Sequence, residues 1–202
     1  MTAGSHDAWL LDFDGTVYHS RPLKLWMALE VALRGPVHLG TLRRFRHEHE
    51  RIREHLMDAV ESPFDLQVAR TAEALNVTAE RVREVVDEWM FERPQKWIRR
   101  HLRAALLEQA RAFRAQGGKL AIVSDYPVSR KLRALDGALA VDIIVANGEQ
   151  NGPGRLKPHP DGYLRAAQQL GVAPERCLVI GDRQDADGLA ATRAGMAFRL
   201  VR

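Results

Sequence analysis

"WLLDFDGTVYHS", Trp9 to Ser20, begins with apolar residues and ends them with two aspartates one residue apart, followed by Gly15 and Thr16. The apolar run from Ala8 to Phe13 is too short for a helix and reads as a parallel strand buried on both faces. Two carboxylates at the end of such a strand repel each other unless a positive charge lies between them. The stretch therefore predicts a strand and, at its carboxyl end, a site that needs a cation.

The next strand, "KLAIVSD", comes only at Lys119 to Asp125. From there the chain alternates: helix at about 128–135, strand "VDIIVA" at 141–146, helix at about 160–170, strand "CLVIGD" at 177–182, helix at about 186–194 and strand "AFRLV" at 197–201. Alternation of this kind predicts an α/β fold with a Rossmann-like, doubly wound parallel sheet. Gly117-Gly118, Gly171 and Gly195 each follow a helical pattern, where a left-handed cap is wanted.

Between the first two strands the pattern is helical throughout. Leu23 to Leu33 forms an apolar helix stopped before Pro36; Ser62-Pro63 opens another to about Leu75; Thr78 caps a third running to Phe91. In "LRRFRHEHERIREHL", Leu42, Phe45, His49, Ile52 and Leu56 fall on one helical stripe, with His49 its only polar member. His49 reads either as a packed histidine between helices or as a group facing substrate. These helices predict an α-helical cap over residues 17–100, inserted into a core of residues 1–16 and 101–202.

The 202 residues are 46% hydrophobic, enough for a proper core. Met1 to Asp7 has no basic leader pattern, and no run reaches the ~18 apolar residues of a membrane span. The single cysteine, Cys177, sits in an apolar strand and can form no internal disulfide. A cytoplasmic protein with no membrane partner is expected. The net charge of +4 comes from 30 basic residues dispersed among 26 acidic ones, only five of the 30 being lysine. That dispersion, without a zinc-finger or aromatic RNA-binding pattern, argues against nucleic acid.

In an open parallel sheet, ligands bind beyond the carboxyl ends of the strands. That edge collects Asp12 and Asp14, Ser124 and Asp125, and the aspartates 182, 185 and 187, with Lys157 joining from the loop "GRLKPHP". Clustered carboxylate oxygens suit the hard cation Mg²⁺, which would supply the missing positive charge. With Mg²⁺ and Lys157 neutralising a phosphoryl group, Asp12 can attack phosphorus and form an acyl phosphate. Asp14 would then protonate the leaving oxygen if Gly15 lets the chain bend, and the Ser124 hydroxyl would hold phosphoryl oxygens.

"DFDGT", Ser124 at a strand end, Lys157-Pro158 and "GDRQDAD" resemble, in order and setting, the four motifs of the haloacid dehalogenase superfamily. The resemblance covers the chain outside the cap, and the cap itself resembles the family's small α-helical (C1-type) caps. It implies Asp12 as nucleophile, Asp14 as general acid and then base, Ser124 with Asp125 beside it and Lys157 at the phosphate. It also implies Mg²⁺ held by Asp12, the main-chain carbonyl of Asp14, Asp182 and a second acid. The last motif has four residues between its outer carboxylates, as in "GDRxxTD" members, so Asp187 is preferred to Asp185. Asp125 stands where many relatives have asparagine, and either adds negative charge at the site or caps the helix after Pro127.

A phosphatase acting on a small phosphorylated metabolite is the expected function. A dehalogenase would not need Asp14, because halide leaves without a proton. A phosphomutase or phosphotransferase of the same superfamily, which must keep its phosphoenzyme from water and pass the group on, is the alternative, and a non-catalytic binding module would be expected to lack one of Asp12, Asp14, Lys157 or Asp182. The oligomeric state is left open.

Overall fold

The computed structural model describes residues 6–55 and 58–201. Five strands, β1 (Ala8–Leu11), β2 (Lys119–Ser124), β3 (Ile143–Ala146), β4 (Cys177–Gly181) and β5 (Ala197–Leu200), form one parallel sheet in the order β3-β2-β1-β4-β5. The order reverses direction at β1, which puts a ligand crevice at its carboxyl end.

Alternate residues of the inner strands serve two separate apolar layers. Trp9, Leu11, Leu120, Ile122, Leu178 and Ile180 pack with the helix α6 (Ala104–Ala115), where Phe113 stacks on Trp9 at 4.4 Å. Ala8, Leu10, Ala121, Val123, Cys177 and Val179 face the opposite side, against Tyr163, Ala166 and Leu170 of α8 (Asp161–Leu170). Period-two alternation with both faces apolar is why the runs look continuously hydrophobic in sequence. Leu11 pairs with Ile122 and Ile180, so Asp12 leaves the sheet level with Val123 and Gly181.

The strands stop short of the sequence reading. β1 ends at Leu11, not Phe13, because Asp12 onward turns into the crevice, and β3 begins at Ile143, where the Asp142 carboxylate accepts the Leu120 N–H at 2.8 Å. Gly117, Gly171 and Gly195 have positive φ as expected; Gly118 does not and lies instead against the Phe113 ring.

The cap contains α1 (Ser20–Arg34), α2 (Leu39–His55), α3 (Pro63–Leu75), α4 (Ala79–Val86) and α5 (Gln95–Arg100). Ser62 and Thr78 cap α3 and α4 through their hydroxyls, as the sequence predicts. The helix from Thr78 does not run evenly to Phe91: after Val86 it widens into a π-helical turn over Asp87–Glu92. Phe45, Phe64, Val68, Val82, Val86 and Phe91 make the cap's own core. On the predicted α2 stripe, Phe45, His49 and Ile52 are buried and Leu42 packs at its edge, while Leu56 lies outside the described residues.

The two chain segments joining cap and core run side by side. Tyr18 and Leu102 form an antiparallel bridge, His19 N–H donates to the His101 carbonyl, and Arg103 N–H to that of Val17, both at 2.9 Å. Among the described residues no helix is long and apolar enough to cross a membrane.

Candidate active site

Asp12, one residue beyond β1, is buried and held at both oxygens. Thr16 Oγ1 donates to its Oδ2 at 2.8 Å, and Lys157 Nζ to its Oδ1 at 2.6 Å. The same ammonium reaches Asp187 Oδ1 at 2.8 Å and the Val123 carbonyl at 3.1 Å. Lys157 is thus the first positive charge between the carboxylates. Although burial opposes its charge, Asp12 and Asp187 hold its pKa well above the usual lysine value.

Burial pushes Asp12 above the ordinary carboxylate range; Lys157 pulls it back, and Asp187 and Asp182 raise it again. Asp182 is raised by burial and by Asp187. Carboxylate oxygens of Asp12, Asp182 and Asp187 lie within 4.8 Å of one another, a donor set of hard oxygens still short of positive charge. The residues present therefore fit a divalent cation.

Two glycines make the approach possible. A Cβ on Gly15 would stand 2.0 Å from Asp182 Oδ2, and one on Gly181 would stand 2.4 Å from the Asp187 carboxyl carbon. Asp187 lies in the turn Gln184–Gly188 leading into α9 (Leu189–Arg193), where the Tyr163 hydroxyl donates to it at 2.8 Å and Arg183 N–H at 3.2 Å. Asp185 faces solvent and pairs with Arg183. The structure thus gathers Asp187 and not Asp185 with the other two acids.

Ser124 is buried at the end of β2, its Oγ accepting the Tyr126 N–H at 3.1 Å. Asp125 does not cap the helix after Pro127. Its carboxylate accepts the Lys157 N–H at 3.1 Å, while Glu149 takes the N–H groups of Val128 and Ser129, at 2.8 and 2.7 Å, at the start of α7 (Ser129–Leu132). Glu149 does this because it reaches both groups from the loop after β3, leaving Asp125 to brace the Lys157 loop.

Asp14 points away from the triad into a different set of donors. Lys131 Nζ bonds its Oδ1 at 2.6 Å and its Oδ2 at 2.5 Å, and the Tyr18 hydroxyl donates to Oδ1 at 2.5 Å. Burial would raise this carboxyl, but Lys131 and Tyr18 outweigh it and hold it below its usual value. The sequence reading did not find Lys131, Tyr18, Thr16 or Tyr163. In an arginine-rich chain, the two buried side chains of lysine or arginine among the described residues are lysines, 131 and 157, a burial that the sequence alone does not mark.

The cap contributes a wall. His49 of α2 stacks on Tyr126 at 4.3 Å with its Nδ1 3.3 Å from Gln67 Oε1, and burial pushes its pKa down to about 4. A neutral, packed imidazole results. A cleft of about 730 Å³ opens beside Asp182, lined by His19, Arg21, His101 and Arg103 among others.

A family model described as haloacid dehalogenase-like hydrolase matches residues 6–195. Phosphoglycolate phosphatase of Escherichia coli (strain K12) is 36% identical over 88 residues, 42% of this chain and 33% of that protein. Glyceraldehyde 3-phosphate phosphatase of Methanopyrus kandleri is 46% identical over 46 residues, 23% of this chain and 20% of the relative. The chain thus spans about a third or less of the length of these curated relatives. The crystal structure of a HAD phosphatase from Thermococcus onnurineus superposes with a TM-score of 0.62 at 20% identity, covering 97% of this chain and 86% of that one, a likeness of fold.

Proposed function

Since the chain belongs to the haloacid dehalogenase-like hydrolases, we propose that it is a Mg²⁺-dependent phosphatase of small phosphorylated metabolites. The observation that carries this reading is the meeting of Asp12, Asp182 and Asp187 around one lysine at the carboxyl edge of the sheet. The three carboxylates, with the main-chain carbonyl of Asp14, would hold the cation. When bound, Mg²⁺ neutralises phosphoryl oxygens as a Lewis acid.

Asp12 is the nucleophile. Thr16 and Lys157 fix its two oxygens, each of which keeps a lone pair free to attack phosphorus. Lys157 and the Ser124–Asp125 loop it touches receive the phosphoryl oxygens. Against its burial, Lys131 and Tyr18 favour the ionised form of Asp14, so it must enter this step carrying a proton taken from solvent on its open side. It gives that proton to the leaving oxygen as the bond from phosphorus breaks, and regains one from the water that hydrolyses the aspartyl phosphate. The same reading divides the chain into a core of 1–16 and 101–202 and a cap of 17–100, and the paired linkers at Tyr18 and Leu102 support it.

Phosphate release, measured with Mg²⁺ and after chelation, across a panel of phosphoesters that includes 2-phosphoglycolate and glyceraldehyde 3-phosphate, tests the reading. Turnover is expected with the cation and not without it. Asp12→Asn should fold normally and lose turnover; a variant keeping a tenth of the wild-type rate would overturn covalent catalysis through Asp12.

A further inference from the structure

Lys131 belongs to no motif and lies 117 positions from Asp14, yet its ammonium bonds both Asp14 oxygens. With Tyr18 on Oδ1 as well, the side chain to which proton transfer falls is gripped by the chain's own donors. The Lys131 side chain is 4% exposed, that of Asp14 31%, so the grip is buried while the carboxyl keeps an open side.

The surroundings of Lys131 come from both parts of the molecule. Its Nζ lies 5.3 Å from the ring centre of Phe13, between the two aspartates of the first motif, and 5.7 Å from that of Phe91, in the cap's π-helical turn. The preceding residue, Arg130, pairs with cap residues Asp87 at 2.9 Å and Glu92 at 3.7 Å. Consecutive residues of α7 therefore hold the cap and the Asp14 carboxylate. A compact ammonium on a flexible stem suits such a confined position better than a planar guanidinium.

We propose that Lys131 is a positioning residue: its ammonium, covered by Phe91 of the cap, holds the Asp14 carboxylate in one orientation, with one side left open, while cap and core are together. The proposal rests on the assignment of proton transfer to Asp14. Removing the ammonium leaves Asp14 tethered by Tyr18 alone and free to rotate. Because an alkoxide leaves badly without a proton and an aryl oxide tolerably, misplacing the acid should harm alkyl phosphates selectively. Positioned acid catalysis is worth ~10² to 10⁴ in rate, so a misplaced acid should forfeit about tenfold or more.

The test is rapid-quench measurement of the first turnover on one alkyl and one aryl phosphate, with KM from steady state. For Lys131→Met we expect a loss of about tenfold or more on the alkyl substrate and less than about threefold on the aryl, with KM changed less than about twofold. Lys131→Arg, keeping the charge, should recover part of the alkyl rate, and Phe91→Leu should show a smaller loss of the same kind. Equal slowing of both substrates by Lys131→Met, or a raised KM at unchanged rate, would overturn the proposal. Asp14→Asn, run in parallel, separates the two levels of argument. If it slows both substrates alike, the acid assignment fails and takes the proposal with it. If Asp14→Asn is alkyl-selective and Lys131→Met multiplies that loss in full in the double variant, Lys131 acts elsewhere and the proposal alone fails. Circular dichroism checks each fold, and Lys131→Gln, which keeps N–H donors but no charge, serves with the same expected selectivity if the methionine variant does not fold.

Discussion

Gly15 decides whether the carboxylates can meet. Its φ is +97°, and any Cβ there would collide with the Asp182 carboxylate. Gly15→Ala should therefore cost roughly 1–3 kcal/mol from backbone strain and, because Asp182 must move, weaken cation binding as well. Gly171→Ala is the control: its φ is also positive, at +64°, but nothing lies within 4 Å of the added carbon, so it should lose stability and not affinity. Denaturant melts combined with Mg²⁺ titration separate the two effects. At this scale the aspartates 12, 14, 182 and 187, Ser124 and Lys157 were legible because strand ends and a proline-stiffened loop mark them in sequence. Lys131 and Tyr163 were not, because they reach the aspartates from helices far along the chain, and no local pattern distinguishes such residues from any other helical side chain.

α2 shows what an element adds that its residues do not. Its apolar stripe sets Phe45, His49 and Ile52 inward, and the same rotation presents the His49 ring to Tyr126, beside Asp125 at the core's edge. The stripe was readable from period alone; its partner was not, since pairing of a cap helix with a core loop has no sequence period. The π-helical turn at Asp87–Glu92 was likewise hidden, and it carries the Phe91 and Asp87 contacts to α7. Packing of His49 has a consequence for stability against pH. Its folded pKa of about 4 lies below the ordinary 6.5, so between those values the unfolded chain binds a proton that the folded one refuses. The stabilisation is full above pH 6.5 and is lost as pH falls toward 4, by up to about 3 kcal/mol. His49→Gln, which can still bond Gln67 and does not titrate, should flatten that part of the profile. Unfolding free energies at pH 7.5 and 4.5 check this, and an equal fall in variant and wild type would mean His49 is not its source.

Across the whole molecule, the site is where separate parts of the chain are pinned together. Asp12 follows β1, Asp182 follows β4, Asp187 precedes α9, and Lys157 comes from the loop after β3. The three carboxylates and one ammonium carry a formal charge of −2, which one divalent cation balances. Binding should therefore stabilise the fold as a unit, because a cation that binds the folded state and not the unfolded chain adds stability by mass action. At a free concentration of 100 times Kd the gain is about 2.7 kcal/mol. For a chain of this size that corresponds to a rise in Tm of roughly 5–10 °C. Thermal melts with Mg²⁺ and after chelation should show that rise, and sodium or potassium at matched ionic strength should not reproduce it. Asp182→Asn and Asp187→Asn should lose most of the shift, whereas Asp185→Asn should keep all of it, since Asp185 pairs with Arg183 at the surface. If Asp185→Asn lost the shift and Asp187→Asn kept it, the cation would be held by the other face of this turn. Tyr163 and Lys157 would then be bracing Asp187 for packing alone.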